Sequence, residues 1–360
     1  MKIGLAHNLY KPYAKGGAEK VVEKMTADFL NEGHEVFIIS TEPKKKSSKK
    51  NSDAANSDGI KKEKIYFIPS SYYDLGDKAK ALRLFWHFSN FCNPKRKIKI
   101  EKILDIEKPD LFITHNLVGV GFFLVDILKK RKIKHEHFLH DIQLLHPSGL
   151  MFSGEEKLIE SKPAKIYQGL TRSIFKDVAK VISPSRWLLN EHLKKGFFGK
   201  SETEIRPLHK LSEIKTRTEQ EQDSKNGKFL FVGQIEKHKG VFFLINTFKK
   251  IDDTNISLTL IGNGQDFEQA KKLAENDKRI NFLGRVESDV IKTEMEKAGT
   301  LIAPSLCYEN SPTVIYEARA QGLPVIASRL GGIPEIIANQ ELLFSAGDVE
   351  SLSQKIKACS

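Results

Sequence analysis

Residues 303–328 read APSLCYENSPTVIYEARAQGLPVIAS. An apolar run closes at Ala303, a polar loop follows, a helical stretch opens near Pro312, and a second apolar run begins at Pro324. Strand, loop, helix and strand in that order make one βαβ unit of a parallel sheet. Pro312 suits the first helical turn, where a missing N–H costs nothing, and Ser311 is placed to cap it. The free N–H groups and dipole of such a helix start attract an anion, above all a phosphate. Glu309 stands before the helix and Glu317 inside it; with a rise of about 1.5 Å per residue, Glu317 would lie roughly 9 Å above Ser311. The two carboxylates can therefore grip the hydroxyls of different parts of one elongated ligand. A diphosphate with a sugar group on either side is a nucleotide sugar.

The same rhythm runs outward in both directions. Strands are expected near 2–6, 35–40, 65–68, 110–114, 134–139 and 180–183, with helices near 17–32, 79–92, 96–107, 118–130 and 185–195. The second half repeats it, with strands near 228–233, 256–261, 279–283, 300–303, 324–327 and 342–344. This predicts an α/β protein of two Rossmann-like, doubly wound domains, residues 1–208 and 228–360. The join is placed at 209–227, a polar tract without core-forming residues. A second polar tract, Lys44 to Lys64, reads as an insertion in the first domain.

A chain of 360 residues has room for two cores, and its 40% hydrophobic content is that of a globular protein. It holds no run of eighteen apolar residues and no signal-peptide core at its start, so neither a membrane span nor export is expected. Its three cysteines, Cys92, Cys307 and Cys359, are too few and too dispersed for a disulfide framework or a zinc site. The expected location is the reducing cytoplasm. The net charge of +12 comes from lysines spread along the chain, which reads as solvated surface or as affinity for an anionic membrane surface. No nucleic-acid motif is visible, so no nucleic-acid partner is expected.

Further candidate residues stand at strand ends, where open α/β sheets bind ligands. Gly16 and Gly17, between the first strand and first helix, let the backbone approach a phosphate. Lys239 and Gln234 follow the strand near 228–233. His140, at the end of the strand near 134–139, can hydrogen-bond a sugar hydroxyl or position an acceptor. His115 and Asp141 are further candidates on the acceptor side. Gly262 and Asn263, and Arg285 and Val286, end two strands of the second domain. Each has a plain structural reading too: a tight turn for the glycines, packed imidazoles for the histidines, a surface lysine for Lys239 and surface charges for Glu309 and Glu317.

The Glu309–Glu317 spacing, with the run from Glu317 through Gly322-Leu323-Pro324-Val325 to Gly331-Gly332-Ile333-Pro334-Glu335, resembles the E-x7-E element of family 4 retaining glycosyltransferases of the GT-B fold. Gly16-Gly17-Ala18-Glu19 and Gly33-His34-Glu35-Val36 are similar to the opening of that family. Arg319 replaces a usual methionine, Gln234 a usual arginine, and Arg206-Pro207-Leu208-His209 the usual hinge. The resemblance implies two domains facing each other across a cleft, with the glycine loop opposite the Lys239 and Glu309 regions. It implies that Glu309 contacts the donor sugar, Glu317 the ribose, and the backbone from Asn310 through Ser311 and Pro312 to Thr313 the sugar and distal phosphate. Lys239 would neutralise the leaving diphosphate, His140 would lie near the reacting carbon, and the backbone at Arg285 and Val286 would read the base. It further implies retention of anomeric configuration; no Asp-x-Asp element stands in the expected place, so no metal ion is expected, nor a cofactor beyond the donor, and a UDP-sugar is favoured with a GDP-sugar possible. The acceptor would be a saccharide or lipid-linked, as in cell-surface polysaccharide or glycolipid synthesis. Family members continue past the last helical stretch, 348–358, with a segment that crosses back, which implies a truncated or short C-terminus here.

Other readings of the same residues are a catalytically idle scaffold or nucleotide-sugar-binding protein and a nucleotide-sugar 2-epimerase. Leu82, Leu84, Phe85, Trp86, Phe88, Phe91 and Cys92, followed by the basic stretch Pro94-Lys95-Arg96-Lys97-Ile98-Lys99, read either as a core helix with a polar end or as an interfacial helix. The interfacial version would make the protein peripheral on the inner face of the plasma membrane.

Overall fold

The computed structural model describes residues 1–14, 16–44, 62–75, 79–208, 218 and 225–360. Most of the expected insertion at 44–64 and of the linker at 209–227 lies outside the described residues, as does Lys15. The chain divides into two compact units. The first comprises residues 1–149, 159–184 and 188–206; the second takes residues 150–158, 185–187 and 207–360. Two short stretches from within the expected first domain thus group with the second.

The first unit contains β1 (Lys2–Ala6), α1 (Gly17–Asn31), β2 (Glu35–Pro43), β3 (Lys64–Ser70), α2 (Lys80–Phe88), α3 (Pro94–Glu107), β4 (Leu111–Thr114), α4 (Phe123–Lys130), β5 (Lys134–Phe138), α5 (Lys162–Phe175), β6 (Lys180–Ser183), most of α6 (Arg186–Lys194) and β7 (Glu202–Ile205). Its seven strands are all parallel, in the order β3-β2-β1-β4-β5-β6-β7. Val36, Phe37, Ile38 and Ile39 are buried in succession, the unbroken apolar run of a strand covered on both faces. The strand order reverses between the adjacent β1 and β4, which is the switch point where such sheets bind ligands.

The second unit contains β8 (Lys228–Val232), α7 (Val241–Lys249), β9 (Ser257–Ile261), α8 (Phe267–Ala274), β10 (Ile280–Gly284), α9 (Ser288–Lys297), β11 (Thr300–Ala303), α10 (Thr313–Ala320), β12 (Val325–Ser328), α11 (Ile333–Ile336), β13 (Leu343–Phe344) and α12 (Val349–Lys357). Its six strands are parallel, in the order β10-β9-β8-β11-β12-β13. Alternate residues of β8 feed two cores: Phe229 and Phe231 join Leu244, Phe248, Leu258 and Leu260, whereas Leu230 joins Leu301, Ile315, Ala318 and Val325. The two-residue period of a strand places these cores on opposite faces of the sheet. The switch point here lies between β8 and β11.

Three expectations about elements are corrected. The helix expected over 118–130 begins only at Phe123, after a turn in which the Gly119 N–H donates to Asn90 Oδ1 at 2.6 Å. The helix expected over 79–92 ends at Phe88. Its aromatic face is not simply core: Trp86 is buried, but Leu82, Phe85 and Phe88 are exposed.

Candidate functional site

In the second unit the loops after β8 and β11 converge. Lys239 Nζ pairs with Glu309 Oε1 at 2.6 Å, and Ser305 Oγ donates to the same oxygen at 2.9 Å. Burial pushes the Glu309 carboxyl up. The Lys239 cation, its hydrogen bond and that of Ser305 outweigh burial and leave the carboxyl below its ordinary range. Burial likewise lowers Lys239, and Glu309 more than restores it, so the ammonium lies above its ordinary value. Both groups are charged at neutral pH. His238, next in the chain, is pushed down to about 4 by burial and by the adjacent Lys239 cation, and is neutral.

Two glycine contacts hold these loops together. Gly240 has φ +76°, and a Cβ there would stand 1.8 Å from the Pro304 carbonyl oxygen, so only glycine brings the two loops this close. The Leu306 N–H donates to the His238 carbonyl at 2.9 Å beside it. Gly331, with φ +62°, lies against the Glu309 carbonyl, where a Cβ would stand at 2.1 Å; the Gly332 N–H donates to that carbonyl at 2.8 Å. The glycine pair in the 331–335 run is therefore a backbone clasp on Glu309.

The start of α10 differs from expectation. The helix begins at Thr313, and Pro312 is its extended N-cap without a side-chain hydrogen bond. Ser311 does not cap it: Ser311 Oγ lies 3.0 Å from the Tyr316 hydroxyl. Asn310 Oδ1 accepts from Ser185 Oγ at 2.5 Å. Glu317 is half-buried in the second turn. Arg319 donates to the Ile336 carbonyl, joining α10 to α11. Gln234 is half-buried in the loop after β8, which is tied to the loop after β9 by the Ile235 N–H donating to the Asn263 carbonyl at 3.1 Å. Gly262 packs against Gly233 in the same place. Arg285 is exposed just beyond β10, while Val286 packs on the core.

Sequence reasoning missed the residues that brace this loop. Trp187 stacks on Tyr308 with ring centroids 5.4 Å apart, and the Tyr308 hydroxyl donates to Glu156 at 2.9 Å. Phe152 bridges Cys307. The Glu335 carboxylate accepts the N–H groups of Arg186 and Trp187, both at 2.7 Å. Ser185 and Trp187 lie more than 120 residues from their partners, and no spacing rule connects them. Glu335 stands in the motif run, but nothing in that run tells that it caps a helix start.

In the first unit the switch point is lined by imidazoles. His7 follows β1, His115 follows β4, and His140 lies two residues beyond β5. His115 Nδ1 and His140 Nε2 are 2.8 Å apart, and the His7 ring meets the His140 ring edge-on at 5.5 Å. Burial, with the charge of its neighbours, holds His115 and His140 well below the ordinary imidazole value. Asp141 accepts from Asn116 Nδ2 at 2.8 Å and from the Gln143 N–H at 2.7 Å. Burial nevertheless pushes its carboxyl up to about 6. His7 was not among the expected residues, although the strand-end rule that selected His115 and His140 applies to it equally. Gly16 is the N-cap of α1, and its N–H is engaged by Glu19 Oε2 at 2.8 Å. Among the described residues no group of three or more His, Cys, Asp or Glu is arranged to hold a metal ion.

Comparison with known proteins matches two family models. Residues 15–205 match "Glycosyltransferase Family 4" and residues 212–359 match "Glycosyl transferases group 1". An uncharacterized 42.6 kDa protein in the cps region of Klebsiella pneumoniae is 27% identical over 98% of this chain and 92% of its own. Among solved structures, sucrose-phosphate synthase from Thermosynechococcus elongatus superposes with a TM-score of 0.72 at 17% identity, covering 99% of this chain and 89% of the other. HepE of Anabaena in complex with UDP and glucose gives 0.68 at 16% identity, covering 100% and 89%. The two structural likenesses establish the GT-B fold.

Proposed function

Since the chain belongs to glycosyltransferase family 4, we propose that it moves a sugar, with retention and without a metal ion, from a nucleoside diphosphate sugar to a saccharide or lipid-linked acceptor. A UDP-sugar is the favoured donor and a GDP-sugar the alternative; the UDP and glucose held by the Anabaena neighbour support that order. The match to a protein of a cps region supports a place in cell-surface polysaccharide or glycolipid synthesis.

The observation that carries this reading is the Lys239–Glu309 pair at the β8/β11 switch point, beside the start of α10. As the bond from the anomeric carbon to the phosphate oxygen breaks, its electron pair passes to the diphosphate. A fixed ammonium stabilises that growing charge more than it stabilises the ground state. Lys239 is given this role, and the first-turn N–H groups of α10 add to it. Glu309 Oε1 is engaged by Lys239 and Ser305, and Oε2 is assigned a hydroxyl of the donor sugar. Glu317 is assigned the ribose. Gln234, Gly262 and Asn263 take the diphosphate side, and the backbone at Arg285 and Val286 takes the base. Gly16 and Gly17 are assigned to the phosphate through the start of α1, His140 to the reacting sugar, and His115 and Asp141 to the acceptor side. The acceptor hydroxyl attacks the face the phosphate leaves, and the departing phosphate oxygen takes its proton. The exposed Leu82, Phe85 and Phe88 support an anionic membrane surface as a further partner, at the inner face of the plasma membrane.

A thermal-shift screen against UDP- and GDP-sugars, followed by turnover of the radiolabelled donor that binds and an anomeric NMR assay of the product, tests the reading. Stabilisation by a UDP-sugar and a retained anomer are expected. No stabilisation by any nucleotide sugar, or an inverted product, would reject it.

A further inference from the structure

We propose that Arg96, in the first turn of α3, is the centre of an oxyanion site in the first unit, and that it takes a phosphate or carboxylate borne by the acceptor. The link to an acceptor rests on the function proposed above; the anion site itself does not.

The argument begins with a buried charge that has no counter-charge. Arg96 is 9% exposed. Its guanidinium stays ionised and carries five N–H donors. Among the described residues one nitrogen has an acceptor: Nη1 donates to the Gly119 carbonyl at 3.0 Å. Burial lowers the guanidinium from its ordinary value, and no neighbouring carboxylate acts to restore it. A desolvated ion is ordinarily paired, because its lost hydration is otherwise uncompensated. Arg279 of the second unit shows that ordinary solution. It pairs with Asp277 at 2.7 Å and donates to the carbonyls of Phe248, Ile251 and Asp253.

The surroundings of Arg96 favour an anion as the missing partner. Lys95, Arg96 and Lys97 follow Pro94 in the first turn of α3, which holds no acidic residue. The dipole at a helix start opposes cations and favours anions. Asn93 Oδ1 accepts the Arg96 N–H at 3.0 Å, so this end offers an anion its field and its cations more than free N–H groups. Gly119 lies in the loop after β4, against the ends of β2 and β3; a Cβ there would stand 3.1 Å from Ser70 Oγ and 3.4 Å from Thr41 Cγ2. That is the sheet edge which carries His115 and Asp141, where such sheets bind ligands. Asn90 joins Trp86 to the same loop: its Nδ2 donates to the Trp86 carbonyl at 3.3 Å and its Oδ1 accepts the Gly119 N–H. Trp86 Nε1 is buried without an acceptor among the described residues, and an indole nitrogen can only donate. A neutral saccharide could fill such hydrogen bonds but would leave the guanidinium unpaired. A phosphate or carboxylate supplies both the charge and two oxygens spaced for the guanidinium fork.

Full-length protein labelled with 15N-arginine is titrated with inorganic phosphate and with glucuronate, against sodium chloride at equal ionic strength. The Nε–H signal of Arg96, assigned by its loss in Arg96→Lys, should shift saturably with phosphate or glucuronate and not with chloride. Arg96→Met tests whether the residue only anchors the Gly119 loop. Without an anion its melt should stay level or rise, since a buried unpaired charge is replaced by an apolar side chain, while stabilisation by phosphate is lost. A lower melt with the phosphate response intact would overturn the proposal, and so would an Arg96 signal that neither anion moves. Should Arg96→Met fail to fold, the signal of the unsubstituted protein decides alone. Transfer assays separate the sources of the anion by comparing a uronate-terminated saccharide, a saccharide on a lipid diphosphate and a neutral saccharide as acceptors. In Arg96→Lys, which keeps the charge and loses the fork, kcat/KM should fall about tenfold or more for the anionic acceptor that uses the site and change little for the neutral one. An equal fall for all three would refute an acceptor anion at Arg96. A protein whose Arg96 binds phosphate but which transfers no sugar would refute the assignment of function and leave the anion site standing.

Discussion

At the scale of single residues, the site rests on one ion pair whose partners lie 70 positions apart in the chain. On the proposed reading, removing either partner takes away a contact to the reacting groups; in the structure it strands the other charge in a half-buried place. Glu309→Ala and Lys239→Ala should each lower turnover by about 100-fold or more, the scale of losing a preorganised transition-state contact; initial rates of nucleotide release measure this. The pair should also resist acid. Glu309 titrates below its unfolded value, so its stabilising share is complete above that value and is lost only as pH falls through the lowered folded one. An acid limb in the rate above pH 5 must therefore have another source. Asp141, raised to about 6, lies in that range. The two members of the pair were legible because each sits at a strand end in a recognisable run. Ser185, 125 residues from Asn310, was not, since contacts of that kind are fixed by how the chain folds back and leave no local pattern.

At the scale of elements, what places Glu309 is the run after β12, which clasps the loop after β11. Gly331→Ala would put a methyl group 2.1 Å from the Glu309 carbonyl at a φ that side chains avoid. It should cost about 1–3 kcal/mol of stability and, by moving Glu309, weaken donor binding; thermal unfolding and nucleotide titration read the two effects. A loss of stability with unchanged donor affinity would show that the clasp does not set the carboxylate. α2 supports a second test. With Leu82, Phe85 and Phe88 exposed, Phe85→Ser combined with Phe88→Ser should reduce binding to vesicles containing anionic lipid about tenfold or more, given the transfer energy of two aromatic side chains. Co-sedimentation measures it, and equal binding of both proteins would remove α2 from any membrane contact. Most strands were readable because a doubly covered parallel strand is a plain apolar run. β7 was not, because Glu202–Ile205 is a short polar strand paired only with β6. α5 carried legible start signals, a Ser161 cap and Pro163 in its first turn, but its Gly169 and mixed polarity obscure the period.

At the scale of the whole molecule, both units are built on the same strand order and each places its candidate residues at its own switch point, yet they differ in what they bury there. The first unit buries His7, His115, His135, His137 and His192 and half-buries His140, whereas His238 is the one histidine among the described residues of the second unit. Burial holds His7 and His192 down to about 4 and His135 to about 3. A histidine whose folded value is depressed contributes fully above its unfolded value near 6.5 and loses that contribution as pH falls toward the folded one. At pH 5 each of these three has given up about 2 kcal/mol, taking 1.36 kcal/mol per pH unit. Asp141 works in the opposite direction: its raised carboxyl stabilises the fold as pH falls below 6, by about 1 kcal/mol at pH 5. His115, His137 and His140, held well below 6.5 by burial, act in the same direction as the other three imidazoles, so the balance is a loss of stability for the first unit as pH falls. Between pH 7 and pH 5 the first unit's thermal midpoint should therefore fall by about 10 °C or more, and that of the second should move far less. The two tryptophans separate the signals, because Trp86 lies in the first unit and Trp187 in the stretch that belongs to the second. In Trp187→Phe the fluorescence melt follows the first unit alone, and in Trp86→Phe the second. Midpoints that fall together, or a second unit that unfolds first in acid, would mean that the buried imidazoles of the first sheet do not govern its response to pH.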